Sequence, residues 1–134
     1  MRGRWEAAVV ALVLLGGCKD DNPGLALGDS PSNVIFPISK VSYNNQIQPL
    51  FNQACNNIGC HDDGAHPSPL KLTSYDNLMF ELPGIVIIGK PDQSTLVLRI
   101  QGTSGNRMPP TTNKLNDNQI NGIRTWIVEG AKNN

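Results

Sequence analysis

Aromatic side chains are scarce in this chain, with only seven among its 134 residues. A core with so few rings is modest unless an apolar body from outside the polypeptide completes it. Charge of one sign is missing too. Lys and Arg number 11 and Asp and Glu number 11, so there is no basic field of the kind that nucleic-acid phosphates require. No run of like charges is long enough to act as a docking tail. Long apolar runs are also absent: the nine residues Ala7 to Leu15 (AAVVALVLL) are too few to span a bilayer as a stable helix. The residue sets of common catalysts are lacking as well, with no Ser-His-Asp set, no glycine-rich phosphate loop and no helical carboxylate pair. These absences leave one small, non-catalytic domain as the expectation.

What is present begins with export. Arg2 and Arg4 precede the apolar run, the order of a secretory signal peptide. The run ends in Leu15-Gly16-Gly17-Cys18, which resembles the lipobox of bacterial lipoproteins. That resemblance implies cleavage before Cys18 and a lipid on its thiol; an ordinary secretory signal would also use the small Gly16 and Gly17. Cys18-Lys19-Asp20-Asp21 further resembles the signal that sends some lipoproteins to the cell surface. The 117 residues from Cys18 onward carry nine Lys and Arg against ten Asp and Glu, still near neutrality. Residues 19–32 (KDDNPGLALGDSPS) have no helical or strand period and read as a tether. The expected organisation is therefore a signal peptide over 1–17, a tether over 18–33 and a folded domain over 34–134.

Three cysteines are an odd number for an exported protein. Lipidation takes Cys18 out of the count and leaves Cys55 and Cys60, in the heptapeptide CNNIGCH that ends at His61. Two thiols followed at once by an imidazole are what covalent haem attachment needs: each thiol adds to a haem vinyl group and the histidine faces the iron. The usual spacing is C-x-x-C-H. Here four residues separate the thiols, so two of them must bulge from the turn. Two other readings use the same residues. A Cys55–Cys60 disulfide would staple a haem-free binding module, leaving His61 idle. Cys55, Cys60, His61 and His66 would form a Cys2His2 zinc set, although adjacent Cys60 and His61 make tetrahedral closure awkward.

Helical periodicity surrounds the heptapeptide. Ser42 reads as the N-cap of a helix to Ala54 with Tyr43, Ile47, Leu50, Phe51 and Ala54 on one stripe, and Pro49 should kink or interrupt it. A short helix is expected from Thr73 or Ser74 through Met79. Residues 84–89 (GIVIIG) have no pairing partner and read as buried irregular chain. Ser94 looks like the N-cap of a helix stopped near Gly102. The clearest signature comes last: Asn116 with Gln119 three residues on, Leu115 and Ile120 as a hydrophobic staple, the stripe Ile120, Ile123, Trp126 and Ile127, and Gly130 at the end. The fold class is all-α, about four short helices joined by long irregular loops around one site.

Taken in order, VSYNNQIQPLFNQACNNIGCH, LKLTSYDNLM, GKPDQSTLVLRI, RMPP and LNDNQINGIRTWIVEGA resemble a small single-haem cytochrome c domain of the planctomycete type, from about Ser42 to Ala131. Some c-type cytochromes also carry four residues between the thiols. The resemblance implies a cytochrome c-like fold, one haem c per chain, thioethers at Cys55 and Cys60, His61 as proximal ligand and Met108 as distal ligand. A thioether opposite an imidazole favours ferrous iron and raises the potential. Met79, at helical spacing from Tyr75, reads as core. His66 is the rival for the sixth position, but it sits too near His61 in a Gly-Pro loop to reach the opposite face. The expected function is electron transfer outside the cytoplasmic membrane, by a lipid-anchored carrier with redox-protein partners and no nucleic acid, working alone or serving an oxidoreductase.

Overall fold

The computed structural model describes residues 30–65 and 67–134. The signal segment, Cys18, most of the tether and His66 lie outside the described residues. Among the described residues the order is a π-helical turn (Tyr43–Ile47), α1 (Gln48–Ala54), α2 (Tyr75–Phe80), a 3-10 turn (Pro91–Gln93), α3 (Thr95–Gln101) and α4 (Asp117–Val128). There is no strand among them; residues 84–89 are irregular as expected but half-buried to exposed rather than buried, with Ile88 58% exposed. The fold is all-α and cytochrome c-like.

Pro49 acts at the start of the first helix. It has no N–H to donate and its ring crowds the preceding turn, so a regular α-helix cannot run through from Ser42. The chain answers with a wide turn in which the Ile47 amide reaches back to the Ser42 carbonyl at 3.3 Å. A regular α-helix then starts with Pro49 in its first turn. Ser42 caps the wide turn by accepting from the Asn45 amide, and Ser74 caps α2 in the same way through Asn77. Asn116 and Gln119 form the reciprocal capping box of α4, with bonds of 3.0 and 3.1 Å. Ser94 precedes α3 but does not cap it. Its hydroxyl is fully buried and instead donates to the Lys90 carbonyl while accepting from the Ile87 amide, which ties down the loop before the helix.

The core is mainly aliphatic. Ile47 of the π-helical turn and Leu50 and Phe51 of α1 share one cluster with Leu96, Val97 and Ile100 of α3, Ile123, Trp126 and Ile127 of α4, and Leu72 and Leu78. The few rings are gathered together. Tyr43 meets Tyr75 edge-on at 5.1 Å and Trp126 at 5.8 Å. Their polar ends are satisfied: Tyr75 donates to the Ala131 carbonyl, Trp126 to the Lys132 carbonyl and Tyr43 to the Gln48 side chain.

A segment without secondary structure, residues 30–41, forms a strap along α4. Gln119 donates to the Ser32 carbonyl at 2.8 Å, Asn118 bonds both the amide and the carbonyl of Phe36, and the Glu129 carboxylate accepts from the Lys40 and Val41 amides. Gln53 on α1 accepts from Ser32 and Asn33. The folded body is thus hydrogen-bonded to the chain from Ser30 onward, the Ser30 hydroxyl donating to Gln119. Phe36, buried by the strap, lies directly on Gly122 of α4, where a Cβ would stand 2.1 Å from its ring.

Candidate functional site

Helix α1 delivers the chain into the heptapeptide. Its last amides belong to Cys55 and Asn56, and both donate to the Phe51 carbonyl at 2.8 Å. A turn follows in which Cys60 donates to the Asn57 carbonyl at 2.9 Å, and the His61 amide returns to the Cys55 carbonyl at 3.2 Å. The two extra residues are absorbed in this turn. Gly59, its third residue, has a φ of +81°, the left-handed backbone that a type II turn asks of that position. The Asp62 carboxylate accepts from the Gly59 amide, and Asp63 accepts from Thr73, so these two aspartates brace the loop.

The turn brings Cys55, Cys60 and His61 together in two different environments. Cys55 is half-buried against the core, and burial together with the Cys60 thiol pushes its pKa up to about 12. Cys60 is exposed. Both thiols are free in the structure. Among the described residues no group of three or more His, Cys, Asp and Glu side chains is placed to hold a metal ion; His66, the fourth member of the zinc set, lies outside them.

Residues 70–72 hold the histidine. The Leu70 carbonyl lies 2.8 Å from His61 Nδ1, and the Leu72 amide donates to the His61 carbonyl at 3.0 Å. A carbonyl at Nδ1 favours the tautomer with its proton there and fixes the ring plane, the orientation that a metal-ligating imidazole needs. Two thiols, an oriented imidazole and the half-buried flank of Cys55 and Leu70 therefore fit a covalently attached haem.

Met108 is placed by α3. Gly102 ends that helix in the left-handed conformation, and the chain doubles back so that the Met108 amide donates to the Arg99 carbonyl at 2.9 Å. Arg107 bonds the Ile100 carbonyl through Nε, and Pro109 after the methionine is buried. The sulfur is thus carried on a loop pinned to a core helix. Met79 is half-buried against the core, in agreement with its sequence reading.

The sequence reading missed the contribution of residues 70–72. They act through main-chain carbonyls and an amide, which leave no side-chain signature; the loop residues Ser68 and Pro69 before them were the only local signal.

Helical architecture, paired thiols and a braced imidazole are consistent with a cytochrome c-like domain. Residues 58–112 match the model of a family described as planctomycete cytochrome C. No curated protein and no solved structure gives a significant match. The match covers less than half of the chain and supports a planctomycete-type cytochrome c-like domain, a likeness that suggests haem-based electron transfer in general. It includes Cys60, His61 and Met108 and starts after Cys55.

Proposed function

We propose that this protein is a single-haem electron carrier working outside the cytoplasmic membrane, with thioethers at Cys55 and Cys60, His61 and Met108 as axial ligands, and a lipid anchor at Cys18. The observation that carries the reading is the Leu70 carbonyl at His61 Nδ1, which orients the imidazole as a ligand beside two unbonded thiols. The haem, when bound, supplies a one-electron couple. The chain supplies the rest. His61 is held in one ring orientation, so little rearrangement accompanies a change of charge. Met108, on its pinned loop, would as a haem ligand favour the reduced state and leave no open position, which suits a carrier rather than an enzyme. Cys60 is exposed, so a group attached there would lie near the surface, where a protein partner would reach it. Burial holds the Cys55 thiol protonated, which weakens it as a nucleophile in the folded chain.

The test is a denaturing gel of protein co-expressed with haem-attachment machinery and stained for haem, with the Cys55→Ala/Cys60→Ala double variant alongside. Haem that stays on the denatured wild-type band and is lost from the variant is the expected result. A wild-type band without haem refutes the proposal.

A further inference from the structure

One face of α1 carries amides at every fourth position: Gln48, Asn52 and, just past the helix end, Asn56. The side-chain nitrogens of Gln48 and Asn56 each donate to the same two oxygens. Gln48 Nε2 lies 2.8 Å from Asn52 Oδ1 and 3.0 Å from the Leu72 carbonyl. Asn56 Nδ2 lies 2.9 Å from each of the same pair. The result is a closed square of two donors and two acceptors, and it fixes which end of each amide is nitrogen. Asn56 Oδ1 is left buried without a hydrogen-bond partner. Leaving a buried acceptor unpaired carries a cost, and the reverse orientation would set that oxygen against both acceptors. The donors of Asn56 are thus committed to Leu72.

Leu72 belongs to the same short segment whose neighbouring Leu70 carbonyl holds the His61 ring and whose own amide holds the His61 main chain. Loosening of the Leu72 carbonyl is therefore transmitted to the imidazole. We infer that Asn56 and Gln48 are positioning residues for the histidine ligand: together they clamp residues 70–72 and thereby set the orientation and hydrogen bonding of the His61 ring. Asn56 is one of the four residues between the two cysteines, so the long spacing includes part of the clamp. The inference rests on the haem reading above.

The test compares two variants with the same added charge on the same face. Asn56→Asp replaces both donors by an acceptor and opposes the Leu72 carbonyl. Asn52→Asp keeps the acceptor that the square uses. In the haem-loaded full chain, exchange of the His61 Nδ1 proton is followed by nuclear magnetic resonance, and the ferric low-spin resonance by electron paramagnetic spectroscopy. Expected in Asn56→Asp is exchange faster by about tenfold or more with a shifted resonance, as one leg of a local clamp is lost. Asn52→Asp should stay close to wild type in both. Equal behaviour of the two variants overturns the positioning role while leaving the haem reading intact. Should Asn56→Asp fail to accumulate, Gln48→Ala removes the other donor, and wild-type exchange in that variant overturns the clamp equally. Wild-type protein that carries no haem refutes the haem reading and this inference with it.

Discussion

Gly122→Ala sets two effects against each other. In the interior of a helix, alanine is worth about 1 kcal/mol more than glycine, so α4 alone would gain from the change. The strap opposes it. An added Cβ would stand 2.1 Å from Cγ and Cδ1 of Phe36 and 2.4 Å from its Cβ, where ordinary contact begins at 3.4 Å. The ring must therefore retreat by more than an ångström, and three of its atoms are involved, so no single torsion relieves the clash. Overpacking of this kind costs about 1 to 3 kcal/mol when the surroundings yield. If the strap lifts instead, it forfeits burial of Phe36, about 2 to 3 kcal/mol. It also forfeits the two Asn118 bonds to the Phe36 main chain, at about 1 kcal/mol each. Net of the helix gain, yielding in place costs about 0 to 2 kcal/mol and lifting the strap about 3 to 4 kcal/mol, and the cheaper route sets the destabilisation expected. Urea unfolding of the haem-loaded protein, followed by both haem absorbance and circular dichroism, measures it. The same substitution in a Phe36→Ala background has room for the methyl group and should be neutral or stabilising. A Gly122→Ala protein more stable than wild type would refute the packing of Phe36 on α4.

Met108→Ala should lower the reduction potential and, because the sixth position no longer has to open first, raise the apparent affinity of the ferric protein for cyanide by about tenfold or more. Unchanged potential and cyanide uptake would remove Met108 from the iron. Alkaline stability tests the ring cluster. Burial, with smaller contributions from Tyr75 and Asp76, holds the Tyr43 hydroxyl protonated well above its ordinary value of 10.0. The unfolded chain loses that proton first, so the contribution is whole below pH 10 and declines as pH rises above it. Melting temperatures of the haem-loaded protein from pH 8 to 11 should fall more steeply for wild type than for Tyr43→Phe; parallel curves would contradict the assignment.

Local signals made most of the fold legible. Asn116 with Gln119, Ser74 before α2, Pro49 and Gly102 each act within one turn of the backbone, and each marked its helix end correctly. The heptapeptide was equally legible because its thiols and imidazole are contiguous. Ser94 shows the limit. A serine before an apolar helix reads as a cap, but a fully buried hydroxyl takes whichever carbonyl the tertiary fold offers, here that of Lys90. Phe36 on Gly122 and Gln119 on Ser32 join residues far apart in sequence, so neither has a local pattern to announce it. The support of His61 by Leu70 and Leu72 was hidden for another reason: any residue has a main-chain carbonyl, so identity at those positions says nothing about the role.

The strap has a mechanical consequence. A pull on the chain entering at Ser30 does not peel one contact at a time. It meets Gln53, Gln119 and Asn118 as anchors on two helices, loaded together and largely along the length of α4. Bonds sheared side by side share a force that would open them singly if they were unzipped in sequence. Tension arriving from the N-terminal side is thus spread over α1 and α4 before it reaches the turn that holds Cys55, Cys60 and His61.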